Sequence, residues 1–318
     1  MAVMDGRHGS GESGVALITA LLIVSLATIA MVAMATRQKM ELRYASMLMG
    51  RDQGWNMVLG GEAWARAVLR RSEKENEWDS LDEPWAQKMA PMQVEGATVS
   101  GWNEDLQSRF NLNNLVVDGK RDNIAMAMFE RLLERRDLDP LVAAAVADWM
   151  DADNETGGPR GAENDIYGRL KYPYSAANQP MQSASELMLV QGFNAKAWEK
   201  LKSFVVALPV RTPINVNTAP PEILSSLAAN ITMADADQVV RTRFMNPFKN
   251  VNDFRNHPNL VQAKVDLQKL TEFHIGVRSS FFMVNAQAEV GRGRMLLRSL
   301  LRRGPDGVVV LRRTMGWP

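Results

Sequence analysis

Residues 13–39 read SGVALITALLIVSLATIAMVAMATRQK, and no charged side chain lies between Gly14 and Thr36. A helix needs about 20 mainly apolar residues to cross the hydrocarbon core of a membrane, and this stretch is long enough. A short polar leader, MAVMDGRHGSGESG, precedes it and ends on Gly14. The sequence therefore predicts a leader at residues 1–14 and a membrane-spanning helix at residues 15–36.

Three other interpretations of the apolar stretch remain open on its residues alone. A secretory signal peptide would use Ala33-Met34-Ala35 as its cleavage site, but its apolar region is normally only about 7 to 15 residues long. A plain signal anchor explains the length but neither the leader nor the glycine that ends it. A buried helix of a soluble protein is disfavoured, because about six helical turns pass without a charge.

The helical pattern continues beyond the charged residues Arg37 and Lys39. Apolar side chains recur at steps of three or four, at Tyr44, Met47, Leu48, Trp55, Val58, Leu59, Val68 and Leu69. This spacing predicts one helix of more than fifty residues, with its first half in lipid and its second half packed on a domain. Gly50, Gly54, Gly60 and Gly61 each lower helix propensity by roughly 1 kcal/mol, so bends or close packing are expected there.

The composition favours a protein that binds other proteins over a nucleic-acid-binding protein or an enzyme. Lys and Arg number 37 against 36 for Asp and Glu, so no global positive charge attracts nucleic acid. The chain has no cysteine, which excludes disulfides, thiolate nucleophiles and cysteine-ligated zinc. Its histidines, His8, His257 and His274, have no serine or carboxylate partner at a recognised catalytic spacing, and are interpreted as surface or core side chains. We therefore expect no enzymatic activity.

Strand-like patterns flank a helical middle region. Residues 93–102 (QVEGATVSGW) alternate as a strand does, and residues 106–115 (LQSRFNLNNL) read as a polar connector. Residues 122–207 contain separate amphipathic segments with helix-start signals, Asp139 before Pro140 and a capping box from Ser183 to Glu186. Further helical segments follow the Asn-rich INVNTAP.

Alternation returns near the C-terminus, where residues 282–289 and two later segments, 295–303 and 308–313, read as strands. The turn Gly304-Pro305-Asp306-Gly307 joins the last two into an antiparallel pair. The predicted fold class is α+β, with a long N-terminal helix packed on an antiparallel sheet built from both ends of the chain. A large all-α domain is inserted between the strands. The predicted boundaries are 37–105 for the lower helix and first strands, 106–278 for the insertion and 279–318 for the last strands.

One loop contains a group of acidic side chains that could bind a metal ion. Residues 148–167 read DWMDADNETGGPRGAENDIY, in which five carboxylates lie close together along the chain: Asp151, Asp153, Glu155, Glu163 and Asp165. Ca²⁺ takes about six to eight hard oxygen ligands, which a flexible acidic loop can supply. The loop is not an EF-hand, because Gly157 and Glu163 are each displaced by one position from that motif.

The acidic loop predicts a Ca²⁺ site that uses some of these five carboxylates. So many carboxylates repel one another unless a cation or a basic side chain intervenes, and Arg160 is the one base within the loop. A solvated loop without metal is the alternative. Mg²⁺ is less well matched, because it usually keeps several waters and uses fewer carboxylates.

Gly14 followed by VALITALLIVSLA resembles a pilin-type prepilin sequence. Together with ADWMDADNETGGPRGAEND, YPYSAANQP, SASELMLVQGF and INVNTAP, it makes the chain similar over nearly its whole length to the type II secretion minor pseudopilin K family. The resemblance implies cleavage after Gly14 by prepilin peptidase and N-methylation of Val15. Thr19 is then the fifth mature residue, where most pilins and pseudopilins carry Glu and the K component does not.

The same resemblance implies a pseudopilin fold, calcium in the acidic loop, and a single-pass anchor in the bacterial inner membrane with the bulk of the chain in the periplasm. The expected partners are the I and J minor pseudopilins in a tip complex, then the major pseudopilin, with secreted substrates and the outer-membrane secretin as further candidates. A first subunit has no preceding neighbour to pair with a Glu at position five. Because an unpaired carboxylate in hydrocarbon costs several kcal/mol, Thr19 suits the tip.

Three competing functions remain. The segment INVNTAPPEILSSLAA resembles the opening of helix-hairpin-helix DNA-binding modules, but the hairpin position, residues 228–231, has no glycine and no basic patch beside it. A minor pilin of a type IV pilus shares the leader, yet would carry Glu instead of Thr19. A periplasmic enzyme held by a signal anchor would need an acid, a base or a nucleophile brought together at one site. The acidic loop is the one candidate for such a site.

Overall fold

The computed structural model describes residues 12–291 and 293–316. Most of the predicted leader, residues 1–11, lies outside the described residues. The helices are α1 (Glu12–Glu75), α2 (Asn123–Arg135), α3 (Ala143–Asp148), α4 (Asn164–Tyr167), α5 (Ala195–Leu201), α6 (Pro221–Ser226), α7 (Met233–Met245), α8 (Val251–Arg255) and α9 (Pro258–Gln262). Short 3₁₀ helices lie at Pro84–Ala86, Leu106–Ser108, Leu112–Asn114, Pro140–Val142 and Ala184–Leu189.

The strands that matter most belong to one antiparallel sheet, in the spatial order β1-β2-β9-β10-β11. In chain order the strands are β1 (Met89–Val94), β2 (Ala97–Asp105), β3 (Phe110–Asn111), β4 (Val116–Val117), β5 (Lys120–Arg121), β6 (Val205–Val206), β7 (Ile214–Asn215), β8 (Ile275–Gly276), β9 (Phe281–Val290), β10 (Gly293–Gly304) and β11 (Gly307–Gly316). The short strands pair as β3 with β6, β4 with β5 and β7 with β8.

Helix α1 is a single element of 64 residues, which confirms the long helix that the apolar spacing predicts. Its first half contains an 18-residue window of mean hydropathy 2.7 that is exposed throughout. The hydroxyls of Ser25, Thr28 and Thr36 each donate to the backbone carbonyl four residues earlier, at 2.7–2.8 Å. This half therefore presents almost nothing but apolar side chains, as a membrane requires.

The second half of α1 packs across one face of the sheet. Val58 contacts a cluster formed by Ala286, Ala288 and Leu297, and is fully buried there. About two and three helical turns further on, Ala65 and Leu69 join a second cluster, together with Trp85, Phe282, Val284, Leu301 and Val308. The predicted α+β arrangement of a long helix on an antiparallel sheet from both ends of the chain is confirmed.

The glycines of α1 mark close packing, and the helix runs through them without interruption. A Cβ atom on Gly61 would lie 3.2 Å from the Cβ of Ala286, and one on Gly54 would lie 3.6 Å from Val290. A Cβ atom on Gly60 would meet nothing within 4 Å. Of the two expectations for these positions, bends or close packing, the structure shows close packing at Gly54 and Gly61 but not at Gly60.

Edge strand β11 is held to α1 by polar contacts. The buried carboxylate of Glu62 accepts two hydrogen bonds of 2.8 Å from Arg313 and one of 2.5 Å from the Ser299 hydroxyl. Burial alone would raise the pKa of Glu62, but the hydrogen bonds from Arg313 and Ser299 outweigh it and lower that pKa. One turn later, Arg66 donates to the carbonyl of Val308 at 2.9 Å.

One local prediction was wrong. The single strand expected at residues 93–102 is a hairpin, in which β1 and β2 meet at a turn of Glu95 and Gly96, both with positive φ. The polar connector expected at residues 106–115 is largely buried, because its asparagines bind the backbone of other segments. Asn113, for example, donates to Met181 and Leu208 carbonyls at 2.9 and 2.8 Å.

The helical insertion leaves and rejoins the sheet at one place. Strand β2 ends at Asp105 and β9 begins at Phe281, and the two strands are neighbours in which Asp105 pairs with Phe282. The predicted helix starts are confirmed: Asp139 caps the turn that begins at Pro140, and the Ser183–Glu186 capping box is formed.

A buried polar junction connects the insertion with the sheet. One carboxylate oxygen of Asp105 accepts hydrogen bonds of 2.6 Å from both Thr218 and Ser279 hydroxyls, while the other accepts from the backbone N–H of Gln107. Beside it, Arg303 on β10 donates to Asp79 at 2.5 Å. Residues far apart in the chain are thereby tied at the root of the insertion.

Helix–sheet contact at Gly61 gives a first prediction. Gly61→Leu would push α1 away from Ala286, and should lower the free energy of unfolding by roughly 1 to 3 kcal/mol. The matched control, Gly60→Leu, meets open space and should leave stability unchanged or raise it by up to about 1 kcal/mol. Urea titration of the full chain in detergent micelles measures both. Equal effects of the two variants would contradict the packing described.

The buried junction gives a prediction on pH. Burial raises the pKa of Asp105 from 3.8 to about 6, despite its hydrogen bonds from Ser279 and Thr218. Between these values the unfolded chain releases a proton that the folded chain retains. The contribution of Asp105 to the free energy of unfolding therefore falls as pH rises from about 4 to about 6. The total decrease is at most about 3 kcal/mol, and the contribution is constant at higher pH.

Asp105→Asn removes this titration. The stability of the variant relative to the native chain should increase between pH 4 and pH 7, in urea titrations of the full chain. Asp165→Asn, which changes an exposed carboxylate, serves as the control. A stability difference between Asp105→Asn and the native chain that is independent of pH would contradict the prediction.

Candidate functional site

The acidic loop runs from the end of α3 to the start of α4, and Asp148 organises it. The Asp148 carboxylate is fully buried and accepts hydrogen bonds from the backbone N–H groups of Gly157, at 3.1 Å, and Ala162, at 2.7 Å. It also forms an ion pair with Arg121, whose guanidinium donates to the Gly157 carbonyl at 2.7 Å. Two parts of the loop are thus bound to one side chain.

The glycines in the loop make room for these charged groups. A Cβ atom on Gly157 would overlap the guanidinium of Arg121, and one on Gly161 would overlap the carboxylate of Asp148. Any larger residue at either position would displace a side chain on which the loop depends. The Gly-Gly-Pro-Arg-Gly sequence therefore has a packing reason as well as a turn-forming one.

Three of the five predicted carboxylates come together. Asp151, Asp153 and Glu163 each offer an oxygen, and these three atoms lie within 4.8 Å of one another. Oδ1 of Asp151 and both carboxylate oxygens of Glu163 are buried without a hydrogen-bond partner among the described residues. Buried polar atoms nearly always have a partner, so an unpartnered group of this kind is a feature of a site that binds something.

The electrostatics of the cluster also favour a cation. Burial raises the pKa of Asp151, although Arg121 holds its Oδ2 at 3.1 Å. Burial raises the pKa of Glu163 to about 7, and the neighbouring charges of Asp148, Asp151 and Asp153 add to this increase. A bound divalent cation would stabilise the ionised form of all of them. An all-oxygen, carboxylate-rich donor set is the kind that Ca²⁺ prefers.

The other two predicted carboxylates lie outside this cluster. Glu155 is exposed and its backbone N–H donates to Asp153 at 2.8 Å, while the exposed Asp165 lies 3.6 Å from Arg169. Arg160 also differs from the expectation, since it pairs with Asp139 at 3.1 Å.

Sequence reasoning missed Arg121 and Asp148, which hold the loop together. Arg121 precedes the loop by about thirty residues and approaches it only through the β4–β5 hairpin. Asp148 stands at the end of an apolar helix, where its complete burial gave no signal in the sequence. A buried acidic residue followed by a glycine-rich loop is a pattern that could have indicated its role.

The predicted processing and assembly residues lie at the start of α1. Among the described residues, a Cβ atom on Gly14 would meet nothing within 4 Å, and the next residue, Val15, is exposed. The Thr19 hydroxyl lies 3.0 Å from the carbonyl oxygens of both Val15 and Ala16. Its one hydroxyl proton is therefore donated within its own helix.

The described histidines have structural partners. His257 is buried, with Nε2 3.0 Å from the Thr242 hydroxyl, and burial lowers its pKa. His274 is also buried, with Nε2 3.2 Å from Asp122, the residue that caps α2. These contacts fit the interpretation of both as core side chains.

Comparison with known proteins gives one consistent result. Two family models, both described as type II secretion system (T2SS), protein K, match residues 108–210 and 214–277. The type II secretion system protein K of Pseudomonas aeruginosa is 34% identical, over 96% of this chain and 93% of that protein. The protein of the same name from Aeromonas hydrophila is 31% identical, over 96% of this chain and 97% of that protein.

A solved structure agrees in fold. The crystal structure of the GspK–GspI–GspJ complex from the type 2 secretion system of enterotoxigenic Escherichia coli contains a chain with a TM-score of 0.70 to this one. The two are 26% identical, and the match covers 84% of this chain and 99% of that chain. With relatives above 30% identity along nearly its whole length, this chain belongs to the type II secretion system protein K family, the minor pseudopilins that its sequence resembles.

Proposed function

We propose that this chain assembles with the I and J minor pseudopilins at the tip of the type II secretion pseudopilus, and that this complex initiates assembly for protein export across the outer membrane. The observation that carries the proposal is the match to almost the whole of a chain crystallised as part of a GspK–GspI–GspJ complex. The long helix on an antiparallel sheet, with a helical domain inserted between β2 and β9, agrees with that role.

Assembly would use the part of α1 that neither lipid nor its own domain covers. Between the apolar span and Gly50, where contact with the sheet begins, α1 exposes large apolar side chains at Met40, Leu42, Tyr44, Met47 and Met49. By helical spacing Met40, Tyr44 and Met47 lie on one side of α1, and Leu42 and Met49 lie on the opposite side. Exposed apolar surface of this kind marks a protein interface. Helices of neighbouring subunits, of the I and J proteins first and the major pseudopilin later, would cover it.

The start of α1 would be processed before assembly. Prepilin peptidase would cut after Gly14, and Val15 would then carry the N-methyl group. The accessibility of both residues supports this reading. The mature chain would remain a single-pass protein of the inner membrane, with its bulk in the periplasm, where secreted substrates and the outer-membrane secretin would be further candidate partners.

Thr19 supports a position at the tip. Its hydroxyl carries no charge and donates within its own helix. This position therefore has no ionised group that requires a neighbour's N-terminal amine. A subunit with nothing in front of it would gain nothing from a Glu at this position and would bear the cost of an unpaired charge in hydrocarbon.

The acidic loop would bind Ca²⁺ as a structural ion, with no part in catalysis. Asp151, Asp153 and Glu163 are the ligands that the geometry supports, since one oxygen of each converges with the others. Among the described residues, Oδ1 of Asp151 and both carboxylate oxygens of Glu163 also have no hydrogen-bond partner. The ion would offset the repulsion among these carboxylates. It would thereby stabilise the loop and the aromatic cluster of Trp149, Tyr167 and Tyr174 that packs beside it.

Assembly through α1 is tested with two matched variants. Met49 on α1 and Met245 on α7 are 74% and 76% exposed. Met49→Asp places a charge in the apolar interface. It should therefore reduce the amount of I and J protein that co-purifies with the full chain in detergent by about tenfold or more. A tenfold loss of affinity corresponds to roughly 1.4 kcal/mol. Met245→Asp should leave co-purification unchanged. Failure of the native chain to form any ternary complex would contradict the proposed function.

Calcium binding is tested by titration calorimetry and thermal unfolding of the full chain. Calcium at about a hundred times its dissociation constant should stabilise the native chain by about 2.7 kcal/mol, and a chelator should reverse the effect. Asp151→Asn combined with Glu163→Gln should abolish both the heat and the stabilisation. Asp165→Asn, outside the cluster, should keep them. The absence of any heat and any stabilisation at millimolar Ca²⁺ would exclude the site.

A further inference from the structure

A cavity of about 310 Å³ lies in the helical insertion, and the residues that line it belong neither to the acidic loop nor to α1. Its walls come from α2, from the turn after α6 and from the segment that follows α9. The apolar part of the lining includes Ile124, Ala127, Leu227 and Leu270. Pockets that bind small molecules have volumes of about 300–1,000 Å³ and mainly apolar walls, so this cavity has the size and lining for a small ligand.

Arg131 on α2 supplies a positive charge at the wall of the cavity. Its Nε donates to the Ser226 carbonyl at 2.7 Å, and its Nη2 donates to the Leu227 carbonyl at 3.0 Å. These two bonds fix the position of the guanidinium. Within the described part of the chain, Nη1 has no hydrogen-bond acceptor and no carboxylate lies within 4.0 Å of the guanidinium. Arg131 therefore keeps donors that a ligand can use.

The electrostatics of the cavity favour an anion with a single charge. Burial lowers the pKa of Arg131, and Glu130 and Glu134 on the same helix oppose this decrease from beyond ion-pair distance. A partly buried charge is more stable when an opposite charge meets it. The other charged side chains of the lining, Lys269 and Asp266, lie 3.6 Å apart and pair with each other. The lining therefore carries one net positive charge.

The turn after α6 contributes backbone donors to the same cavity. Ala228, Ala229 and Asn230 line it, and among the described residues none of their N–H groups has a hydrogen-bond acceptor. Residues 212–240 contain no Lys, Arg or His, so the fold alone brings the Arg131 guanidinium to this turn. Backbone N–H groups beside a guanidinium are suitable donors for a carboxylate.

We propose that this cavity binds a small apolar carboxylate, with one anionic group and an aliphatic body about the size of an amino-acid residue. The carboxylate would accept hydrogen bonds from Arg131 Nη1 and from the N–H groups of residues 228–230, and the aliphatic body would contact Ile124 and Leu270. A phosphate monoester carries a charge of about −1.5 to −2 at pH 7 and fits the single net charge less well. This site depends neither on the tip complex nor on the acidic loop.

The test compares N-acetyl-L-leucine with its uncharged amide, N-acetyl-L-leucinamide, by titration calorimetry of the full chain in detergent micelles. The acid should bind at millimolar concentration or below. The amide should bind at least tenfold more weakly, because it presents no negative charge to Arg131. A pentapeptide that ends in leucine distinguishes the two sources of such a ligand. Tighter binding than that of N-acetyl-L-leucine would support a protein C-terminus as the ligand, and equal or weaker binding would support a free carboxylate.

Two variants and a matched control connect binding with the cavity. Arg131→Gln should weaken binding of N-acetyl-L-leucine by tenfold or more. Ala127→Leu keeps every donor but fills the cavity, and should weaken binding by a similar factor. Arg135→Gln is the control, because Arg135 on the same helix donates to the Ile231 carbonyl at 3.0 Å but does not line the cavity. It should retain native affinity.

No binding of N-acetyl-L-leucine by the native chain, or equal binding of the acid and the amide, would overturn the inference. Native affinity in folded Arg131→Gln or in Ala127→Leu would also overturn it, as would an equal loss in Arg135→Gln. If Arg131→Gln does not fold, as judged by circular dichroism, Ala127→Leu decides the result. Inorganic phosphate that binds as tightly as N-acetyl-L-leucine and displaces it would overturn the assignment to carboxylates.

Discussion

The contact between the second half of α1 and the sheet is the constraint on which the rest of the structure depends. One continuous helix meets two different environments, and its side chains change accordingly, from apolar all round to apolar on a single face. Gly54 and Gly61 allow the helix backbone to approach β9 and β10, where Val58 and Leu69 become fully buried. The C-terminal strands β9, β10 and β11 complete the sheet and pack on this helix.

Polar contacts decide how the other parts attach to this helix–sheet unit. The buried carboxylate of Glu62 holds the edge strand through Arg313, so that strand is fixed to the helix as well as to its neighbour β10. Asp105 and the Asp79–Arg303 pair connect the insertion to the sheet. A buried charge of this kind costs free energy when it is unpaired. Arrangements of the chain that separate these pairs are therefore less stable than the one observed.

The same logic applies at the acidic loop. Asp148 and Arg121 pair with each other and bind the loop backbone, whereas Asp151 and Glu163 have oxygens without hydrogen-bond partners in the part of the chain that the structure describes. The loop therefore combines a completed polar network with an incomplete one a few residues away. A cation is the simplest group that would complete it.

The sequence by itself determined the long helix, the strands at both ends and the presence of an acidic site, because these depend on local periodicity and composition. The apolar run after Gly14, the alternation at residues 282–289 and the Ser183–Glu186 capping box were all legible for this reason. The tertiary structure alone decided which of the acidic residues converge, brought Arg121 to the loop, and buried the asparagines of residues 106–115. These outcomes depend on contacts between residues distant in the chain, where burial and hydrogen bonding outweigh the local preferences that a sequence displays.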